Sequence, residues 1–353
     1  MKIALRLFVA LGSSTVAVCM PITAHAHIKW FAPFDLTVEP TVPAMFISQD
    51  AWLLGLALSI PALWLAVGLD QLGRRWDIMP NVGRSLSRVA ADADDIVRVT
   101  IGVWLTWLWA SPTPVFLTPE LVAPTGHVHW FQLLMSVFCF SRRTTWITGI
   151  GLLALYFTAM SHYGLFHLAD YPLFLGITAY LIGISAQRWR SSRLRLLARH
   201  RHSTLVIAMT TTLCWASIEK WAYASWSMPI LAERSYLALG LDPATFMALA
   251  GWVEFGLAIS LVIGGRLTSR AAALALLIMF SAAVFEFGKV DLIGHLPIIA
   301  SLFVVVAVGN GDIGDVVSLS RRSVPFRLVA LPVVYFASLA LTITAYFGGR
   351  HVA

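Results

Sequence analysis

Charge is scarce in this sequence. Asp, Glu, Lys and Arg make up 12% of 353 residues, about half of what a soluble globule carries. A chain so poor in charge cannot clothe a water-facing surface, which excludes an ordinary soluble domain. Cysteine is nearly absent as well. Cys19, Cys139 and Cys214 lie far apart, with no Cys-x-x-Cys and no zinc spacing, which excludes a disulfide framework and a thiol redox motif. There is no Walker loop, no Gly-x-Gly-x-x-Gly before a helix, no Gly-x-Ser-x-Gly and no Cys-x-x-Cys-His. Nucleotide binding, covalent hydrolysis and c-type haem chemistry therefore lack their local elements.

What is present is apolar. The chain is 58% hydrophobic, with twenty Phe and fourteen Trp and a mean hydropathy of +0.78. Residues 1–26 combine Lys2 and Arg6, an apolar run from Leu7 to Met20, and the small-x-small end Ala24-His25-Ala26. That pattern is a secretory signal. Cleavage is expected after Ala24 or Ala26, the second leaving His27 at the terminus. Residues 27–49 hold Pro33, Pro40 and Pro43 and read as an extracytoplasmic lead-in, with Lys29-Trp30-Phe31 as an interfacial anchor.

A span needs about 20 apolar residues. Such stretches fall near 50–69, 95–111, 126–140, 145–161, 171–187, 204–222, 246–264, 270–287, 294–309 and 326–347. The expected fold is an all-α, polytopic membrane helix bundle of about ten transmembrane helices. Arginines fill every second loop, including 74–88, 142–143, 188–201, 266–270 and 321–327. Those loops are read as cytoplasmic, which puts the processed N-terminus and the C-terminus in the periplasm of a bacterial inner membrane. The net charge of +7 is thus a topology signal. The run from Arg188 to Arg201 reads as a flank touching lipid headgroups, with the bilayer and not nucleic acid as its partner.

An internal repeat divides the chain. Sliding 95–187 onto 204–309 by 125 positions places His129 on Glu254, Asp170 on His295 and Pro172 on Pro297. The expected units are a signal at 1–26, a lead-in with one span and a cytoplasmic loop at 27–94, a four-helix repeat at 95–203, a second at 204–310, and a loop with a last span at 311–353. An even helix count per unit makes the repeats parallel, with two flanking helices outside them.

The second unit carries Val253-Glu-Phe-Gly, then Gly264-Gly-Arg-Leu-Thr-Ser-Arg270-Ala-Ala-Ala. A glutamate early in an apolar helix, a Gly-rich exit and an Arg-bracketed turn resemble the DoxX family. The resemblance covers about 204–309, and more weakly 95–187, where His129 stands in place of the glutamate. It implies a four-helix membrane module and quinone-linked or accessory redox work at the periplasmic face, with a membrane or periplasmic redox partner.

Acids inside a membrane are costly and mark functional sites by default. Glu219, Glu254, Glu286 and His295 gather toward one side and are the candidate catalytic groups. Glu254 lies deepest, with no basic residue at helical spacing, and suits a proton acceptor or cation ligand. The bland reading pairs Glu219 with Lys289 and Glu286 with Lys220. Most histidines fall on that same side, so His27, His127, His129, His162 and His167 are candidate copper ligands, provided that His127-x-His129 is extended. Trp104, Trp107, Trp109, Trp215, Trp221, Trp226 and Trp252 read as an interface belt, with Trp104 and Trp107 as candidate quinone contacts. Three functions follow as expectations: DoxX-like redox work, copper handling by a transporter, and a structural subunit of a membrane complex.

Overall fold

Each of the ten apolar stretches is helical in the computed structural model, which describes residues 28–30, 38–76, 78–189, 191–317, 319 and 322–350. The expected signal, both cleavage points and His27 lie outside the described residues. The α-helices are α1 (Pro43–Ile47), α2 (Asp50–Arg75), α3 (Ile78–Ala91), α4 (Ala93–Trp109), α5 (His127–Phe138), α6 (Thr145–Leu168), α7 (Pro172–Ala186), α8 (Ser192–Ala222), α9 (Met228–Glu233), α10 (Pro243–Ile263), α11 (Arg266–Phe287), α12 (Lys289–Val308), α13 (Gly311–Val317) and α14 (Val324–Arg350). Among the described residues there is no strand, only an isolated bridge between Val115 and Val122.

Among the described residues six helices, α2, α6, α10, α11, α12 and α14, are long and apolar enough to cross a membrane. Leu65, Val329, Val333 and Leu341 on α2 and α14 stand more than 60% exposed, a surface that suits lipid and not water. The protein is an all-helical, membrane-spanning one. α7 is apolar but shorter, and α5, with 12 residues, extends only about 18 Å at the rise of an α-helix. α3 was not foreseen. Its stretch reads as an arginine-bearing loop, yet Ile78–Ala91 forms a helix.

Local sequence sets the boundaries. Pro243 opens α10, and the Asp242 side chain accepts from Thr245 N at 3.0 Å, a cap that satisfies an orphan donor. Gly288 ends α11 with φ +76°, a conformation that a side chain resists. α12 starts at once on Lys289, so His295 sits in its second turn and not at its start as the sequence suggests.

Packing follows a closed order. α4 packs on α5, α5 on α6, α6 on α7, α7 on α8, α8 on α10, α10 on α11, α11 on α12, and α12 returns to α4. α2 and α14 pack together, α2 also against α10 and α11, and α14 against α8 and α10.

Three ion-pair locks hold one end of the bundle. Asp94 takes Arg201 on both oxygens at 3.1 and 3.2 Å, with Tyr180 at 2.9 Å. Asp95 takes Arg142 on both oxygens at 2.8 Å and Arg98 at 2.9 Å. Asp70 on α2 caps α11 by accepting from Gly265 N and Thr268 N, and it pairs with the fully buried Arg327 at 2.9 Å.

Candidate functional site

The opposite end holds a different kind of charge cluster. Its centre is Lys29, in the short 3₁₀ turn Ile28–Trp30. This lysine is no surface anchor. Its ammonium is buried between Asp170 Oδ2 at 2.5 Å and Glu219 Oε1 at 2.6 Å, with the Trp226 ring 5.7 Å away. Burial alone pulls such an ammonium toward neutrality. The Asp170 and Glu219 charges and their hydrogen bonds outweigh it and hold the Lys29 pKa above the ordinary lysine value.

The neighbouring Trp30 reaches α12. Its ring lies on Gly294, where any Cβ would collide with it, and 4.7 Å from the His295 ring. Adjacent residues of one turn thus touch Asp170 and His295, the two positions matched by the 125-residue slide. The other face of His295 meets Phe280 at 4.7 Å.

His295 is 1% exposed, and its Nδ1 lies 2.9 Å from Asp291 Oδ2 one turn earlier. With an ionised Asp291 the proton belongs on Nδ1, which leaves Nε2 as the acceptor. Asp291 is fully buried, and its Oδ1 has no partner among the described residues.

Glu254, 4% exposed, forms an ion pair through Oε2 with Lys220 of α8. The sequence offered it no partner because α8 and α10 are separated by the 223–242 connection. A small cavity opens beside this pair, lined by Thr212, Ala216, Lys220, Glu254, Phe280 and His295, with room for a water-sized guest.

The remaining candidates fall around this core. Glu286 is half-buried and pairs with Arg234 at 2.7 Å, with Tyr236 on the same oxygen. Neither sequence pairing forms, and Lys289 is exposed. Glu120 was missed by the sequence reading. Its Oε1 accepts from Tyr171 and from Thr118 at 2.9 Å. Burial raises its pKa above the ordinary glutamate value, with those hydrogen bonds and the Lys29 charge pulling back.

The histidines do not assemble. α5 begins at His127, so His127 and His129 sit two apart on a helix and do not face each other. His162 stacks on Phe116 at 5.6 Å, and buried His167 lies between Tyr163 and Tyr171. Among the described residues no group of three His, Cys, Asp or Glu is arranged to hold a metal. The tryptophans also depart from a lipid belt. Trp52, Trp221 and Trp252 form a buried cluster with centroids 4.9 to 5.8 Å apart. Trp104 is fully buried and stacks on Phe174 at 5.4 Å, while Trp107 packs partly buried against the core. Neither lines the cavity beside Glu254.

Neither a family model, nor a curated protein, nor a solved structure matches the chain. The DoxX-like reading rests on the residues that suggested it.

Proposed function

We infer that this is a DoxX-like inner-membrane protein that handles protons at a buried acid–base cluster, in quinone-linked or accessory redox work on the periplasmic side. One observation carries the proton-handling part. Two buried carboxylates, Glu254 beside the cavity and Asp291 behind His295, meet a single lysine, Lys220, among the described residues. With His295 neutral, one negative charge stays in excess. A low-dielectric interior does not hold that excess bare, so it takes up protons. Glu254 and His295 exchange the proton, Glu219 and Lys29 set the local field, and Glu286 closes the rim with Arg234.

The topology belongs to the same proposal: ten spans, two parallel four-helix repeats of α4–α7 and α8 with α10–α12, and both termini in the periplasm. Its support is the cyclic packing order and the contact of one Lys29–Trp30 turn with Asp170 and His295. Alkaline phosphatase fusions after residues 125, 240 and 350 should be active, and fusions after 143, 191 and 265 inactive. The reverse pattern places the cluster in the cytoplasm and removes the periplasmic assignment.

Solvent extraction of the purified protein tests the redox part, with the Glu254→Gln phenotype measured alongside. A protein free of quinone whose Glu254→Gln variant behaves as wild type ends it. A second reading has its own support. Every buried carboxylate of the cluster has a polar partner, as a structural subunit of a membrane complex requires. An unchanged phenotype in Glu254→Gln favours that reading. The copper reading has no gathered ligand set behind it among the described residues, and elemental analysis of chelator-free membranes is its test.

A further inference from the structure

In the cavity beside Glu254 two separate acid–base pairs face the same space. Lys220–Glu254 belongs to α8 and α10, and Asp291–His295 belongs to α12. Glu254 meets Lys220 through Oε2. Asp291 holds Nδ1 of His295, so the ring turns Nε2 away from its partner, and both His295 and Glu254 line the cavity. The space suits one water, and it offers that water an acceptor, a donor and a carboxylate within one polar wall.

We propose that a single water in this cavity joins the Lys220–Glu254 pair to the His295–Asp291 pair and carries a proton between α10 and α12. This rests on the proton-handling reading above and names its path. The step balances without any further reactant. The Glu254 carboxylic acid gives its proton to the water as the water gives one to His295 Nε2. Glu254 is left as a carboxylate beside the Lys220 ammonium, and the new imidazolium is met by the Asp291 carboxylate. Return of the proton reverses both changes, and net charge is constant throughout. The hydrophobic side of the cavity, Leu213, Phe280 and Ile298, and the Trp30 ring over His295 limit the path to one water by excluding others.

Infrared spectroscopy after a pH jump tests this on the full-length protein in detergent. The carboxylic C=O band of Glu254 is assigned by its loss in Glu254→Gln, and its rate of deprotonation is followed. In the wild type, rates in mixtures of H₂O and D₂O should curve downward with deuterium fraction, because more than one proton moves. Ala216→Leu fills the cavity while leaving both pairs in place and should slow the step about a hundred-fold or more, the lower end of what a positioned acid or base contributes. His295→Phe should slow it likewise. A straight isotope plot together with an unchanged rate in Ala216→Leu overturns the water path while leaving Glu254 as a proton site. A Glu254 band that never appears at any pH overturns the proton-handling reading itself. Should either variant misfold, the wild-type isotope plot alone decides between one proton and several.

Discussion

The two ends of the bundle use the same kinds of residue for opposite purposes. At the end with Asp70, Asp94 and Asp95 the cations are arginines, and each of these carboxylates has hydrogen bonds on both oxygens. At the end with Asp170, Glu219, Glu254 and Asp291 the cations that meet these acids are lysines, Lys29 beside Asp170 and Glu219 and Lys220 beside Glu254. The chain contains four lysines, and Lys29, Lys220 and Lys289 all belong to this second end. A guanidinium fork saturates a carboxylate and fixes it. An ammonium is a point charge that leaves the other oxygen free for chemistry. The first end is built to lock helices, and the second keeps spare acceptor capacity in a dry place.

The largest effect should come from breaking a lock. Asp70→Ala strands the fully buried Arg327 and two backbone donors, which costs about 3 to 5 kcal/mol of stability. Thermal unfolding in detergent measures it. Replacing both partners by leucine and methionine should recover most of that loss, since a structural pair can be exchanged for apolar packing. Failure to recover would mean that the arginine end also carries function.

Lys29→Met should come next, at about 3 kcal/mol near neutral pH. The sign of its pH dependence sharpens the comparison. Without the ammonium, Asp170 and Glu219 stay folded by keeping a proton, so folding takes up protons and stability falls as pH rises. Denaturation across a pH series should show the variant closest to wild type in acid. An equal deficit at every pH would contradict an excess of carboxylates.

Glu254→Gln separates the two ends most directly. It keeps size and a hydrogen bond to Lys220 but removes the counter-charge of a half-buried ammonium, so stability should fall by about 1 to 3 kcal/mol, while proton release and the cellular phenotype are lost. Asp95→Asn should lower the melting temperature with proton release intact.

The smallest effect belongs to Glu120, in the 110–126 connection. Its pKa is raised in the folded state, so its contribution to stability is full below the ordinary glutamate range and is lost as pH rises through the raised value. Glu120→Gln should therefore gain up to about 1 kcal/mol in alkaline buffer and little in acid. Paired unfolding curves at two pH values show it.

Much of the fold was legible before any coordinates. Ten apolar stretches are ten helices, because length and hydropathy act locally. That Glu254 and His295 lie at the same level of the bundle was also legible, since the alternating direction of successive helices sets it. The partners were not. Lys220 to Glu254 spans 34 positions, Lys29 to Asp170 141 and Arg327 to Asp70 257, and no periodicity encodes such distances. The His-x-His pair failed for a local reason, because α5 begins at His127 itself and makes residues 127–129 helical instead of extended.

The sequence by itself determined that this protein is helical and membrane-spanning. Those properties follow from composition and from the cost of placing charge in lipid. Only the tertiary structure decided which acid meets which base. It set a lysine from outside the helices between two carboxylates, and it brought Glu254 and His295 to one small cavity. Coulomb energy depends on separation through space, and separation through space is what folding creates.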